Sequence, residues 1–139
     1  MSLPDYNDIN VGDAIPETVK GPITRTQLAL FAGASGDHNP IHLDDEEARK
    51  GGLPGVIAHG MLNMAYLGQL LSNAVPVRNI RAFNARFVAM AVPGDTITCR
   101  GEVAEKRQEG GENLLDLNIR AVNQKDETVL DGTASVALD

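Results

Sequence analysis

The sequence predicts an α+β fold in which an antiparallel sheet wraps around one long central helix. Three observations predict it. Residues His59–Asn73, HGMLNMAYLGQLLSN, are apolar around most of a helical circumference, as a buried helix is. Beyond Pro76 the apolar positions recur with period two, as in half-buried antiparallel strands. Turn signals separate those strands at Pro93-Gly94-Asp95, Gly110-Gly111 and Asn123–Asp126.

Taken in order, residues 1–23 are rich in Pro, Gly and Asp and hold one strand near Ala14–Lys20. Thr24-Arg25-Thr26-Gln27 fits a capping box, so a helix starts at Thr24. Leu28, Phe31 and Ala32 share one face of it, and Gly33 and Gly36 end it. A short helix covers Asp44–Lys50, with acids first and bases last as the helix dipole favours; Gly51-Gly52 stops it. In the long helix, Met61, Leu62, Met64, Ala65, Leu67, Leu70 and Leu71 give the apolar surface. Asn63, Tyr66, Gln69 and Asn73 form one polar stripe that faces a cavity, a partner subunit or a hydrogen-bonded edge. The run Asn79–Val92 is apolar on both faces and reads as a more central strand. Ile97, Cys99 and Val103, then Leu115, Leu117, Ile119 and Ala121, then Leu130, Ala134, Val136 and Leu138 mark the inner faces of the remaining strands. The economical packing curls the sheet around the helix, which is the hot-dog architecture. Periodicity alone does not separate it from other α+β sheets with a packed helix.

A chain of 139 residues is expected to form one domain, residues 1–139, with a core that needs no disulfide or metal. The net charge of −7 disfavours nucleic acid and anionic membranes as partners. No apolar segment is long enough to span a bilayer, and no leader-like segment stands at the start. The single cysteine, Cys99, excludes an intrachain disulfide and fits a reducing compartment; a cytoplasmic location is expected. Cys99 lies on an apolar strand face and is expected in the core. No His/carboxylate set has metal-ligand spacing, so no metal site is expected.

The stretch Gly36–His42, GDHNPIH, concentrates an acid, an amide and two imidazoles around a proline. On a helix, Asp37 and His42 would point about 140° apart, and on a strand to opposite faces. Only a loop bent at Asn39-Pro40 could unite them. United around a water, they would make a general acid–base pair. Asp, Asn, Pro and Gly are also turn residues in any protein, so on residue chemistry alone a polar turn stays ahead of a catalytic loop.

FAGASGDHNPIHLDDEEA, followed by IAHGM at Ile57–Met61, resembles the hydratase-2 signature of the MaoC-like dehydratases. Asp37, Asn39, Pro40, Ile41 and His42 complete its core. ARFVAMAVPGD, Ala85–Asp95, is similar to the family's strand leading into a Pro-Gly-Asp turn. The resemblance runs from about Val11 to the C-terminus. It includes R-specific enoyl-CoA hydratases and (3R)-hydroxyacyl-ACP dehydratase subunits of mycobacterial type, and it implies the hot-dog fold.

The resemblance implies reversible syn addition of water across a trans-2-enoyl thioester, giving the (3R)-hydroxyacyl product. It makes Asp37 and His42 the catalytic dyad and Gly60, at the start of the central helix, the oxyanion donor. A helix N-terminus suits that role through its unpaired N–H groups and positive dipole. Asn39, His59, Met61 and Gly68 are the expected substrate-binding positions. Asn39 positions the loop or the water, and His59 touches substrate or makes a structural bond. His38 is the variable position of the motif and is expected to face outward. Some R-specific hydratases carry a serine nine residues after the histidine of the His-Gly-Met block, where this chain has Gly68. The auxiliary hydrogen bond is then missing, open space is expected instead, and the chain resembles the mycobacterial-type subunits more closely there. Arg78, Arg81 and Arg86 are candidates for CoA or phosphopantetheine phosphates, with solvated charges the commoner reading. No cofactor is expected beyond the CoA or ACP that carries the substrate. The partner is expected to be a second copy, or a related hot-dog subunit in a heterodimer. The rival functions are a hot-dog acyl thioesterase and a non-catalytic acyl-binding subunit.

Overall fold

Local chemistry sets the element boundaries. In this computed structural model, which describes residues 3–139, the Thr24 hydroxyl accepts from the Gln27 N–H at 3.1 Å and starts α1 (Arg25–Ser35). Gly36 ends α1 in the left-handed region at φ 79°. Gly33, expected to share that role, lies inside the helix. An interior glycine costs a helix only about 1 kcal/mol relative to alanine, so the last turn runs through it to the cap. Asp44 caps α2 (Asp45–Lys50) by accepting from the N–H groups of Glu46 and Glu47. The long helix α3 spans Gly60–Ala74, with His59 at its N-cap.

The strands are β1 (Ala14–Lys20), β2 (Ile80–Phe87), β3 (Ile97–Glu109), β4 (Glu112–Val122) and β5 (Thr128–Leu138). Gly110 and Gly111 both take positive φ, 61° and 79°, which a two-residue hairpin turn requires to match strand twist. The Asn123 side chain accepts from the Lys125 and Glu127 N–H groups and closes the β4–β5 turn. The sheet is antiparallel throughout, in the order β1-β3-β4-β5-β2. Its inner face meets α3, where Leu67, Leu70 and Leu71 are buried with Leu115, Leu117, Ile119 and Leu130. This is the hot-dog arrangement expected from the sequence. Among the described residues no helix is long and apolar enough to cross a membrane.

Two expectations change. β2, expected to be central, is an edge strand that ends at Phe87. Residues 88–92 are irregular, held by Val88 and Ala89 N–H groups on the Val129 carbonyl and by the Ala91 carbonyl on Ala58 N–H. Phe87, Val88 and Met90 are more than half exposed. Apolar residues on both faces signal burial, but they do not say whether the same chain supplies the cover. α3 likewise buries one side only. Leu62, Asn63, Tyr66, Leu67, Leu70, Leu71 and Ala74 face inward, while Met61 and Ala65 are exposed. The polar stripe divides, with Asn63 and Tyr66 inside and Gln69 and Asn73 outside.

Candidate active site

α1 delivers the chain through Gly36 into a loop that folds on its own side chains. Asp37 Oδ1 accepts from Asn39 N–H at 3.3 Å, and Asn39 Oδ1 accepts from Ile41 N–H at 3.2 Å. The second bond caps a 3-10 turn over Pro40–His42, with Pro40 at its first position. Asn39 therefore positions the loop. The bend brings Asp37 Oδ2 to 3.6 Å from His42 Nε2. The Asp37 side chain is 49% exposed and the His42 ring 8%, so solvent reaches the pair from the carboxylate side only.

The His42 ring is held from behind. Its Nδ1 lies 2.8 Å from the Ile57 carbonyl. A carbonyl only accepts, so Nδ1 carries a proton, and Nε2 is the nitrogen turned towards Asp37. Ile57 belongs to the segment that leads into α3, and its own N–H donates to the Ile41 carbonyl at 3.1 Å. Asp45 of α2 steadies the same segment, accepting from Val56 N–H at 2.9 Å and from Arg25 at 2.7 Å. Those two donors hold the Asp45 carboxyl below the ordinary carboxylate range.

His59 lies against His42 and is 1% exposed. Its ring stacks on His42 with centroids 3.8 Å apart and planes 20° apart, and meets the Phe31 ring edge-on at 4.9 Å. Its Nε2 lies 3.2 Å from the Asp37 carbonyl oxygen. Burial pushes its pKa below the ordinary histidine value. Asp37, His42 and His59 present ligand-type atoms within 4.8 Å of one another. An ion bound to an imidazole lies in the ring plane, and two stacked, nearly parallel rings share no such point.

Gly60 is exposed at the first position of α3, and no side chain caps that turn. A Cβ there would stand 2.9 Å from the Phe87 ring. Met61 follows and is 57% exposed. Gly68 lies two turns along α3, and its space is not open as expected: a Cβ there would meet the Phe83 ring at 3.3 Å. Phe83 and Phe87 lie four residues apart on β2 and both reach α3, so one strand face covers both glycines.

The other candidates lie apart from the hydrogen bonds of Asp37 and His42. His38 is exposed. Arg81 pairs with Glu112, and Arg86 lies 3.6 Å from Asp131. Arg78 is exposed. Cys99 is fully buried, and burial pushes its thiol up to about 11, which leaves it inert. Sequence reasoning missed the Ile57 carbonyl and the rings of Phe31, Phe83 and Phe87. Each acts through a contact distant in the chain, and no local pattern signals it.

A family model described as "MaoC like domain" matches residues 9–123. Among curated proteins, the fatty acid synthase subunit beta of Aspergillus oryzae is 35% identical over 112 residues, covering 78% of this chain and 5% of that protein. The peroxisomal enoyl-CoA hydratase 2 of Arabidopsis thaliana is 28% identical over 124 residues, 87% of this chain and 38% of that one. The chain thus spans only a small part of these longer relatives. Among solved structures, R-hydratase PhaJ1 from Pseudomonas aeruginosa superposes with a TM-score of 0.83 at 30% identity, covering 96% of this chain and 84% of that one. With the signature residues folded into one loop against the start of the central helix, the chain belongs to the MaoC-like family and carries its hot-dog fold.

Proposed function

We propose that the chain, acting as one domain, catalyses reversible hydration of trans-2-enoyl thioesters to (3R)-hydroxyacyl thioesters, carried on CoA or ACP. The observation that carries this reading is the 3.6 Å approach of Asp37 Oδ2 to His42 Nε2 with Nδ1 committed to Ile57. A water hydrogen-bonded to both atoms at about 2.8 Å sits at the apex of a triangle over that edge. The names of the plant and bacterial relatives support the same class of reaction.

In the hydration direction the water oxygen bonds to Cβ while His42 Nε2 accepts its proton and Asp37 holds its second hydrogen. The π electrons move onto the thioester, whose oxygen gains negative charge. The Gly60 N–H, at the positive end of α3, is the donor assigned to that oxygen. The proton then passes to Cα on the same face, which completes a syn addition and restores the lone pair. Every step uses Asp37, His42 and a backbone N–H, so this reading assigns no metal or organic cofactor.

The unpaired edge of β2 supports a side-by-side homodimer, with the sheet continuing into a second copy. Phe87, Val88, Met90 and Met61 then lose their exposure to water. Light scattering at twice the chain mass is the expected result. A monomer that dimerises only with a related subunit would replace the homodimer with a heterodimer.

The functional test follows enoyl absorbance with crotonyl-CoA, longer enoyl-CoAs and the matching ACP thioesters, with chiral analysis of the product. Asp37→Asn and His42→Ala should each lower turnover by about 10²-fold or more with the fold intact. Turnover within about twofold of wild type in either variant would overturn the dyad. Release of free thiol without hydration would make the chain a thioesterase.

A further inference from the structure

We propose that His59 is a positioning residue of the dyad, a neutral imidazole that clamps the Asp37 backbone with one nitrogen and supports the His42 ring with its face. This deepens the hydration reading and rests on it.

Three observations converge. The Asp37 carbonyl can only accept, so the 3.2 Å contact requires a proton on His59 Nε2. The other nitrogen, Nδ1, is buried and has no hydrogen-bond partner among the described residues. A proton there would put a charge on the buried ring and a second donor with nothing to bond, which costs more than leaving a lone pair. The ring is therefore held as the neutral Nε2–H tautomer. Its lowered pKa agrees, since burial disfavours the charged form and the neighbouring His42 adds to that. Third, the 3.8 Å stack lays the His59 ring against the face of His42, and Phe31 packs on the same His59 ring at 4.9 Å and holds it in place.

The clamp acts on both halves of the dyad at once. Asp37 is the exposed member, and among the described residues its side chain is tied to its own loop. The His59 bond fixes the backbone from which the carboxylate projects. The stack fixes the plane of the imidazole that faces it. Neutrality matters too, because a positive charge 3.8 Å from His42 would weaken it as a base.

His59→Phe keeps a ring of similar size beside Phe31 and His42 and removes the N–H. His59→Gln removes the ring and keeps an N–H that reaches the same carbonyl. The His59→Phe variant should stay folded and lose about 10- to 100-fold in kcat with KM nearly unchanged, as a misplaced catalytic group does. His59→Gln should recover part of that loss. A folded His59→Phe variant with wild-type kcat, or one whose loss lies wholly in KM, would overturn the proposal. A crystal structure of His59→Phe gives a readout independent of turnover. The proposal expects Asp37 to shift from His42, and a separation unchanged from 3.6 Å would refute it. A wild-type protein without turnover on any enoyl thioester, but with that shift in the variant, would retire the hydration reading and leave the clamp.

Discussion

Gly60→Pro tests the oxyanion assignment with little change to the helix. Proline is favoured at the first helical position, where the missing N–H has no intrahelical partner. The residue before it must be extended, and His59 at φ −58°, ψ 133° already is. The substitution therefore removes one N–H from the site and leaves the ladder of α3 intact. Any β-carbon at position 60 also crowds the Phe87 ring at 2.9 Å, and that ring must shift to admit it. Gly60→Ala carries the same crowding and keeps the N–H, so it is the control. Loss of one oxyanion donor costs about 10²- to 10³-fold in kcat, or roughly 3–4 kcal/mol. Steady-state hydration of crotonyl-CoA should show that loss in the proline variant relative to the alanine variant, with similar melting temperatures. Equal kcat in the two variants would refute the assignment, because it would mean that the reaction does not use that N–H.

Gly132→Ala tests the sheet. A Cβ there would overlap the Asn84 carbonyl oxygen and stand 2.9 Å from Ala85 Cα, so β2 must move from β5 by more than the roughly 0.6 Å that the second contact alone requires. Backbone cannot swing aside as the end of a side chain can, and a loss of about 3 kcal/mol or more is expected in denaturant unfolding; an unchanged midpoint would show that the edge strand yields freely. Stability should also fall with acid through His59. Burial lowers its folded pKa below the ordinary 6.5, so below that pH the unfolded chain binds a proton that the folded chain does not. Its contribution is full above 6.5 and is lost as pH falls towards the lowered value. Melting temperatures should decline across that window in wild type and decline less in His59→Phe; parallel curves would show that His59 charges in place.

What the sequence made legible were features written within a few residues: the Thr24 cap, the Gly110-Gly111 turn, the period-two strands and the start of α3 at His59-Gly60. Order in the sheet was not among them. β2 has the composition of a central strand because its apolar faces invite cover, and a one-dimensional pattern does not record who provides it. Gly68 read as open space because the ring that fills it, Phe83, arrives from another element. The site itself was half legible. Spacing demanded a loop to unite Asp37 with His42, and the loop unites them. What spacing could not show is why the two signature blocks need each other. His42, from the first block, donates to the carbonyl of Ile57 in the second, and His59, from the second, donates to the carbonyl of Asp37 in the first. Each block thus fixes the tautomer of the other's imidazole. Neither block could hold its histidine in that state alone, because a buried imidazole needs an acceptor for its one N–H. A change that breaks either bond should therefore disturb both rings together, and the double substitution His42→Ala with His59→Phe should lose less activity than the two single losses multiplied.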